Sequence, residues 1–173
     1  MDKDPLPLHN KTMKPRVYLE TTIPSYLAAR PSRDTVIAGH QQTTHEWWAT
    51  CHGRFDLHIS QFVLDEVGAG DPEAARLRLE VLRGLPELPA TEPAFALAGA
   101  LLSEGAVPEK ARTDAAHIAV AAVHGMDFLV TWNCRHIANA EMEPHIREVC
   151  LRHGWHCPVI CTPEQLLPIE ETP

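Results

Sequence analysis

Apolar residues occur in short runs separated by polar and turn-forming stretches, and their spacing predicts strands alternating with helices. RVYLE (16–20) is a compact apolar run ending on an acid, the pattern of a short strand covered on both faces. TTIP follows at 21–24 as a helix start, with Thr22 as the cap and Pro24 in the first turn. Asp34 opens a longer helix to about residue 51, with His40, Thr44, Trp47 and Trp48 crowding one side. Residues 55–60 read as a second strand. Ser60 then caps a helix through Phe62, Val63 and Val67, which Gly68, Gly70 and Pro72 break.

Farther along, Leu77, Val81 and Leu82 share one side of a helix over 73–83. LPELPATEP (85–93) admits only a brief edge strand between its prolines. An apolar helix spans 94–104, and Thr113 caps a helix of very small side chains over 114–124. FLVTW (128–132) is the clearest buried strand, ending at Asn133. A helix over 143–152, a strand at 159–161 and a short helix at 162–167 complete the chain. This alternation predicts an α/β fold, a three-layer α/β/α sandwich with a mainly parallel sheet. One domain is expected over 15–167, with a disordered leader over 1–14 and a disordered tail over 168–173.

Composition narrows the function classes. The 173 residues are 45% hydrophobic and 22% charged, ordinary for a globular protein. No apolar run approaches the ~20 residues that cross a bilayer, and no secretory pattern opens the chain. Five cysteines, an odd number without a CxxC pair, argue against a disulfide framework and for a reducing cytoplasm. A formal charge of −8 argues against a broad basic face for nucleic acid, an objection softened if several acids gather around a metal.

Four polar residues, Glu20, Glu66, Asp114 and Asn133, fall where strands end or helices begin. In an open parallel sheet those places lie along one edge. Singly, each has an ordinary explanation: an acid favoured by a helix dipole, or an asparagine in a turn. Glu66 neighbours Asp65, and one of the two is expected to face solvent. Together they converge, and carboxylates held close need a proton or a cation between them. Arg135, Arg112, Lys110, Arg30 and Arg33 are candidates for holding phosphates. The Cys150, His153, His156, Cys157 group fits no closed zinc spacing well. Trp47 and Trp48 with His45 suggest either base stacking or a seat on the core. TTIPS stands where a glycine-rich phosphate loop would follow the first strand, which argues against a nucleotide-cofactor protein.

With YLETT at the first strand, ISQFVLDEV at the second, RTDAAHIAVAAVHGMDFLVTWN and a closing TPEQLL, the chain resembles the PIN-domain proteins. More narrowly it is similar to the VapC-type bacterial toxins, over about residues 16–167. The resemblance implies a metal-dependent ribonuclease using Mg²⁺ or Mn²⁺, an RNA substrate, an antitoxin partner and a homodimer. It places Glu20, Glu66, Asp114 and Asn133 as the catalytic residues, the first three of them as metal ligands. Thr21, Thr131, Arg112 and Arg135 are the accompanying phosphate-binding candidates. Two departures stand out: glutamate replaces aspartate at position 20, and His136 stands where many relatives keep an acid. They motivate an alternative, a catalytically weak or inactive module that binds RNA or protein.

Overall fold

Central strand β1 (Arg16–Leu19) buries Val17, Tyr18 and Leu19 without exposed surface, as a strand covered on both faces must. The computed structural model describes residues 13–169, so most of the expected leader and tail, 1–12 and 170–173, lies outside the described residues. The other strands are β2 (Asp56–Ser60), β3 (Glu87–Leu88), β4 (Phe128–Val130) and β5 (Val159–Cys161). They form one sheet in the order β3-β2-β1-β4-β5, every neighbouring pair parallel. Among the described residues, seven helices connect them: α1 (Thr22–Ala28), α2 (Thr35–Arg54), α3 (Gln61–Val67), α4 (Pro72–Leu82), α5 (Glu92–Ser103), α6 (Arg112–Val123) and α7 (Glu143–Arg152). A 3₁₀ turn, Pro163–Leu166, follows β5.

Right-handed crossovers send the connections of the first three strands to one face and those reaching β4 and β5 to the other. The packing agrees: α1 meets α2 and α4, whereas α5 meets α6 and α7. The result is the α/β/α sandwich expected. Strand order runs outward from β1 to β3 in one direction and to β5 in the other, so the direction reverses between β1 and β4. In open parallel sheets such a reversal leaves a crevice at the carboxyl ends of the two strands. Residues just after Leu19 and just after Val130 therefore flank it.

Several expected caps do different work. Asp34 caps α2 as expected, accepting from the Val36 and Ile37 N–H groups. Thr22, by contrast, is the first residue inside α1, and its hydroxyl turns toward Glu20. Ser60 precedes α3 but makes no cap bond, because its hydroxyl lies 2.6 Å from the Tyr18 hydroxyl. Thr113 lies within α6, which begins one residue earlier at Arg112. Strand β4 ends two residues before the FLVTW run does, since the Trp132 N–H donates to Thr22 Oγ1 instead of to a neighbouring strand. Trp47 is fully buried beside Phe55, so it is a core residue and not a platform for bases.

Candidate functional site

Side chains alternate across a strand, so Tyr18 and Glu20 leave the first strand on the same face. Glu20 is only 4% exposed. Its Oε2 accepts from the Thr22 N–H at 3.1 Å, the Thr22 hydroxyl at 2.6 Å and the Thr131 hydroxyl at 2.6 Å. These donors satisfy a carboxylate oxygen that burial would otherwise leave unpaired. The same hydroxyls accept in turn: Thr22 from the Trp132 N–H at 2.8 Å and Thr131 from the Asn133 N–H at 2.8 Å. Two threonines thus tie the exits of β1 and β4 together across the crevice.

Glu66 reaches the same place from α3. Its Oε2 meets His117 Nε2 at 2.8 Å and accepts from the Thr21 hydroxyl. Burial pushes the Glu66 carboxyl up, but the bonds from His117 and Thr21 and the His117 charge outweigh it, leaving the group below the ordinary value. Contrary to the expectation that one of the pair faces solvent, both are exposed: Asp65 accepts from Gln61 at 2.7 Å, while Glu66, its side chain 38% exposed, turns toward His117. His117 is wholly buried on α6. Its Nδ1 lies 2.7 Å from the Tyr18 hydroxyl, which continues to Ser60 Oγ at 2.6 Å. Burial drives the Tyr18 hydroxyl far above its usual pKa, so it remains a phenol.

One ligand atom from each of Glu20, Glu66 and His117 lies within 4.8 Å of the others. An ion held at about 2.0–2.2 Å by each ligand sets those atoms roughly 3–4 Å apart, so a small inward adjustment would close the trio on one cation. The donors are two carboxylates and an imidazole. That set suits a divalent ion.

Asp114 sits in the first turn of α6, three residues before His117 and so on the same side of the helix. Its Oδ1 accepts from Asn133 Nδ2 at 3.0 Å, and its Oδ2 lies 2.9 Å from His136 Nδ1. Asn133 Oδ1 accepts the Arg135 and His136 N–H groups at 3.2 and 3.1 Å, which folds the turn after β4 and aims the amide at Asp114. Among the expected residues, then, the structure joins Glu20 with Glu66 and Asp114 with Asn133. Thr131 and the first turns of α6 connect the two pairs.

Thr21 is bonded to Glu66, and Thr131 is buried against Glu20. Both hold carboxylates. Arg112 is exposed and ion-paired with Glu109, while Arg135 is exposed beside Asn133. His153 bonds Glu104 at 2.7 Å, and the 150–157 cysteine and histidine group forms no metal-like cluster among the described residues. His117 and Tyr18 were not singled out in the sequence. The available signal was the Asp114–His117 spacing, which puts an imidazole one turn from a candidate acid on the same helix side.

No family model matches the chain, and no curated protein matches it. Among solved structures, the chain is similar to VapBC2 from Rickettsia felis, bound to a DNA fragment from their promoter. The TM-score is 0.56 at 16% identity, covering 85% of this chain and 98% of that one. At that identity the likeness is one of fold. The chain has the PIN-like, VapC-like fold.

Proposed function

We propose that this protein is a metal-dependent ribonuclease hydrolysing RNA phosphodiesters, with Mg²⁺ or Mn²⁺ at the sheet edge, acting in the cytoplasm as the toxin of a bacterial toxin–antitoxin pair. The observation that carries the reading is the convergence of Glu20, Glu66 and His117 at the β1–β4 crevice, with Asp114 a helical turn away. A PIN-like fold supports it. An antitoxin protein and a second copy of the chain are the proposed partners.

A bound divalent cation supplies Lewis-acid stabilisation of charge developing on the phosphate. The chain's own residues do the rest. Thr22 and Thr131 fix the Glu20 carboxylate, and Thr21 fixes that of Glu66. Asn133 orients Asp114, and Asp114 orients His136 through Nδ1. In that arrangement His136 Nε2 is the atom placed to take or give a proton. Arg135 and Arg112 are the proposed phosphate holders, Arg112 on release from Glu109.

The test is RNA cleavage by purified protein with Mn²⁺ or Mg²⁺. Cleavage is expected to stop with chelator and to fall about 10²–10⁴-fold in Asp114→Asn, the range typical of a lost proton-transfer arrangement. Turnover that survives both treatments overturns the mechanism. A second reading, a catalytically weak RNA- or protein-binding module, draws on the engagement of both Asp114 oxygens by Asn133 and His136. Mn²⁺-dependent turnover by the wild type would remove it.

A further inference from the structure

His117 is the member of the trio that an all-oxygen cation site would not contain. It has no exposed surface, and both ring nitrogens are engaged, Nε2 toward Glu66 and Nδ1 toward Tyr18. A histidine bound to a metal through one nitrogen ordinarily uses the other to grip an orienting partner. Here that partner is in place, and the Tyr18 hydroxyl is itself anchored by Ser60. Glu20 adds a second observation. All three bonds that its side chain accepts go to Oε2, and Oε1, which accepts none of them, is not among the fully buried polar atoms without a partner, so it keeps access to the crevice solvent.

We propose that Glu20, Glu66 and His117 form a mixed nitrogen–oxygen site in which His117 Nε2 is a direct ligand, so that the site takes a first-row transition ion in preference to Mg²⁺. This rests on the reading of the sheet edge as a metal site and narrows it to a class of ion. Imidazole nitrogen favours the later first-row ions, whereas Mg²⁺ prefers oxygen ligands and retains its waters.

The hydrogen-bond chain fits the exchange atom by atom. Without metal, the Nε2 proton points at the Glu66 carboxylate. A ring that carries both protons would lose the one on Nε2 to solvent water as the ion enters, leaving Nε2 as a lone-pair donor and freeing Glu66 Oε2 toward the ion while it keeps its bond from Thr21. The ring's remaining proton then sits on Nδ1 and is donated to the Tyr18 oxygen, whose own proton turns to Ser60 Oγ.

The experiment is a Mn²⁺ titration of the full-length protein, stripped with chelator, followed by electron spin-echo spectroscopy of the bound ion. The expected result is one bound Mn²⁺ showing ¹⁴N modulation from a coordinated imidazole. Zn²⁺ or Co²⁺ should displace it, and Mg²⁺ in about hundredfold excess should not. His117→Gln should abolish the nitrogen modulation. Tyr18→Phe should retain it while weakening Mn²⁺ binding about 10–100-fold, as loss of an orienting partner does. Tight Mn²⁺ binding without nitrogen modulation in the wild type overturns the inference and leaves an all-oxygen site standing. Failure of any divalent ion to bind overturns the metal reading itself. If His117→Gln does not fold, the wild-type spectrum still decides the matter.

Discussion

Glu66 shows how much one side chain can hold. It joins α3 to α6 through His117 and to the start of α1 through Thr21. Its native pKa lies below the ordinary glutamate value of ~4.3, so the folded state binds its proton less readily than the unfolded chain. The stability this contributes is therefore complete above the unfolded value and is lost as pH falls through the lower native one. Comparing denaturant midpoints of the metal-free wild type and Glu66→Gln at about pH 6 and about pH 3 checks this. The wild-type advantage should shrink on acidification, and a gap of constant size would refute it. Glu66 was legible in the sequence because it follows a strand and a helix start at a regular distance. His117 was not, because an imidazole between alanines and isoleucine reads as one more buried position on a packed helix. Only its meeting with Tyr18, 99 residues earlier, reveals a relay, and no local pattern encodes that.

Helix α6 carries the site on a stretch of small side chains. Ala115, Ala119 and Ala121 have no exposed surface, and the helix packs on β4 and α5. Close approach to the sheet is what allows its first turns to reach the crevice. Ala119→Leu should therefore cost about 1–3 kcal/mol through overpacking, measured as a lowered urea midpoint. The exposed Thr113→Leu, on the same helix, should stay within about 0.5 kcal/mol. Elements of this kind were readable in advance: the small-residue helix, the bounds of α7 and β5, and an edge strand between prolines all stand where periodicity placed them. The caps were less so. A threonine or serine before a helix offers the same hydroxyl whether it turns back to its own backbone or across to a partner. Thr22 and Ser60 found stronger partners in Glu20 and Tyr18, groups that only the folded sheet brings near.

On the scale of the whole molecule, the charge of −8 bears on the RNA binding proposed above. Arg76, Arg83, Arg112, Arg147 and Arg152 are ion-paired with glutamates, and Arg16, Arg54 and Arg78 donate to backbone carbonyls. With Lys110, Arg112 and Arg135 as the cations around Asp114 and Asn133, at about −0.7 per contact on a single strand, the log–log salt slope of RNA binding should be no steeper than about −2. Filter binding across a salt series measures it, and a slope near −4 would require more phosphate contacts than these three cations can make. The parallel topology also governs how copies of the chain can meet. Strand β3 is two residues long between Pro86 and Pro89, and β5 is bracketed by Pro158 and Pro163. Proline lacks the amide that a docking strand would need, so each rim offers a second chain only a short ladder that proline interrupts. Under crowding, a passing strand would therefore find no more than two or three residues to pair with at either rim.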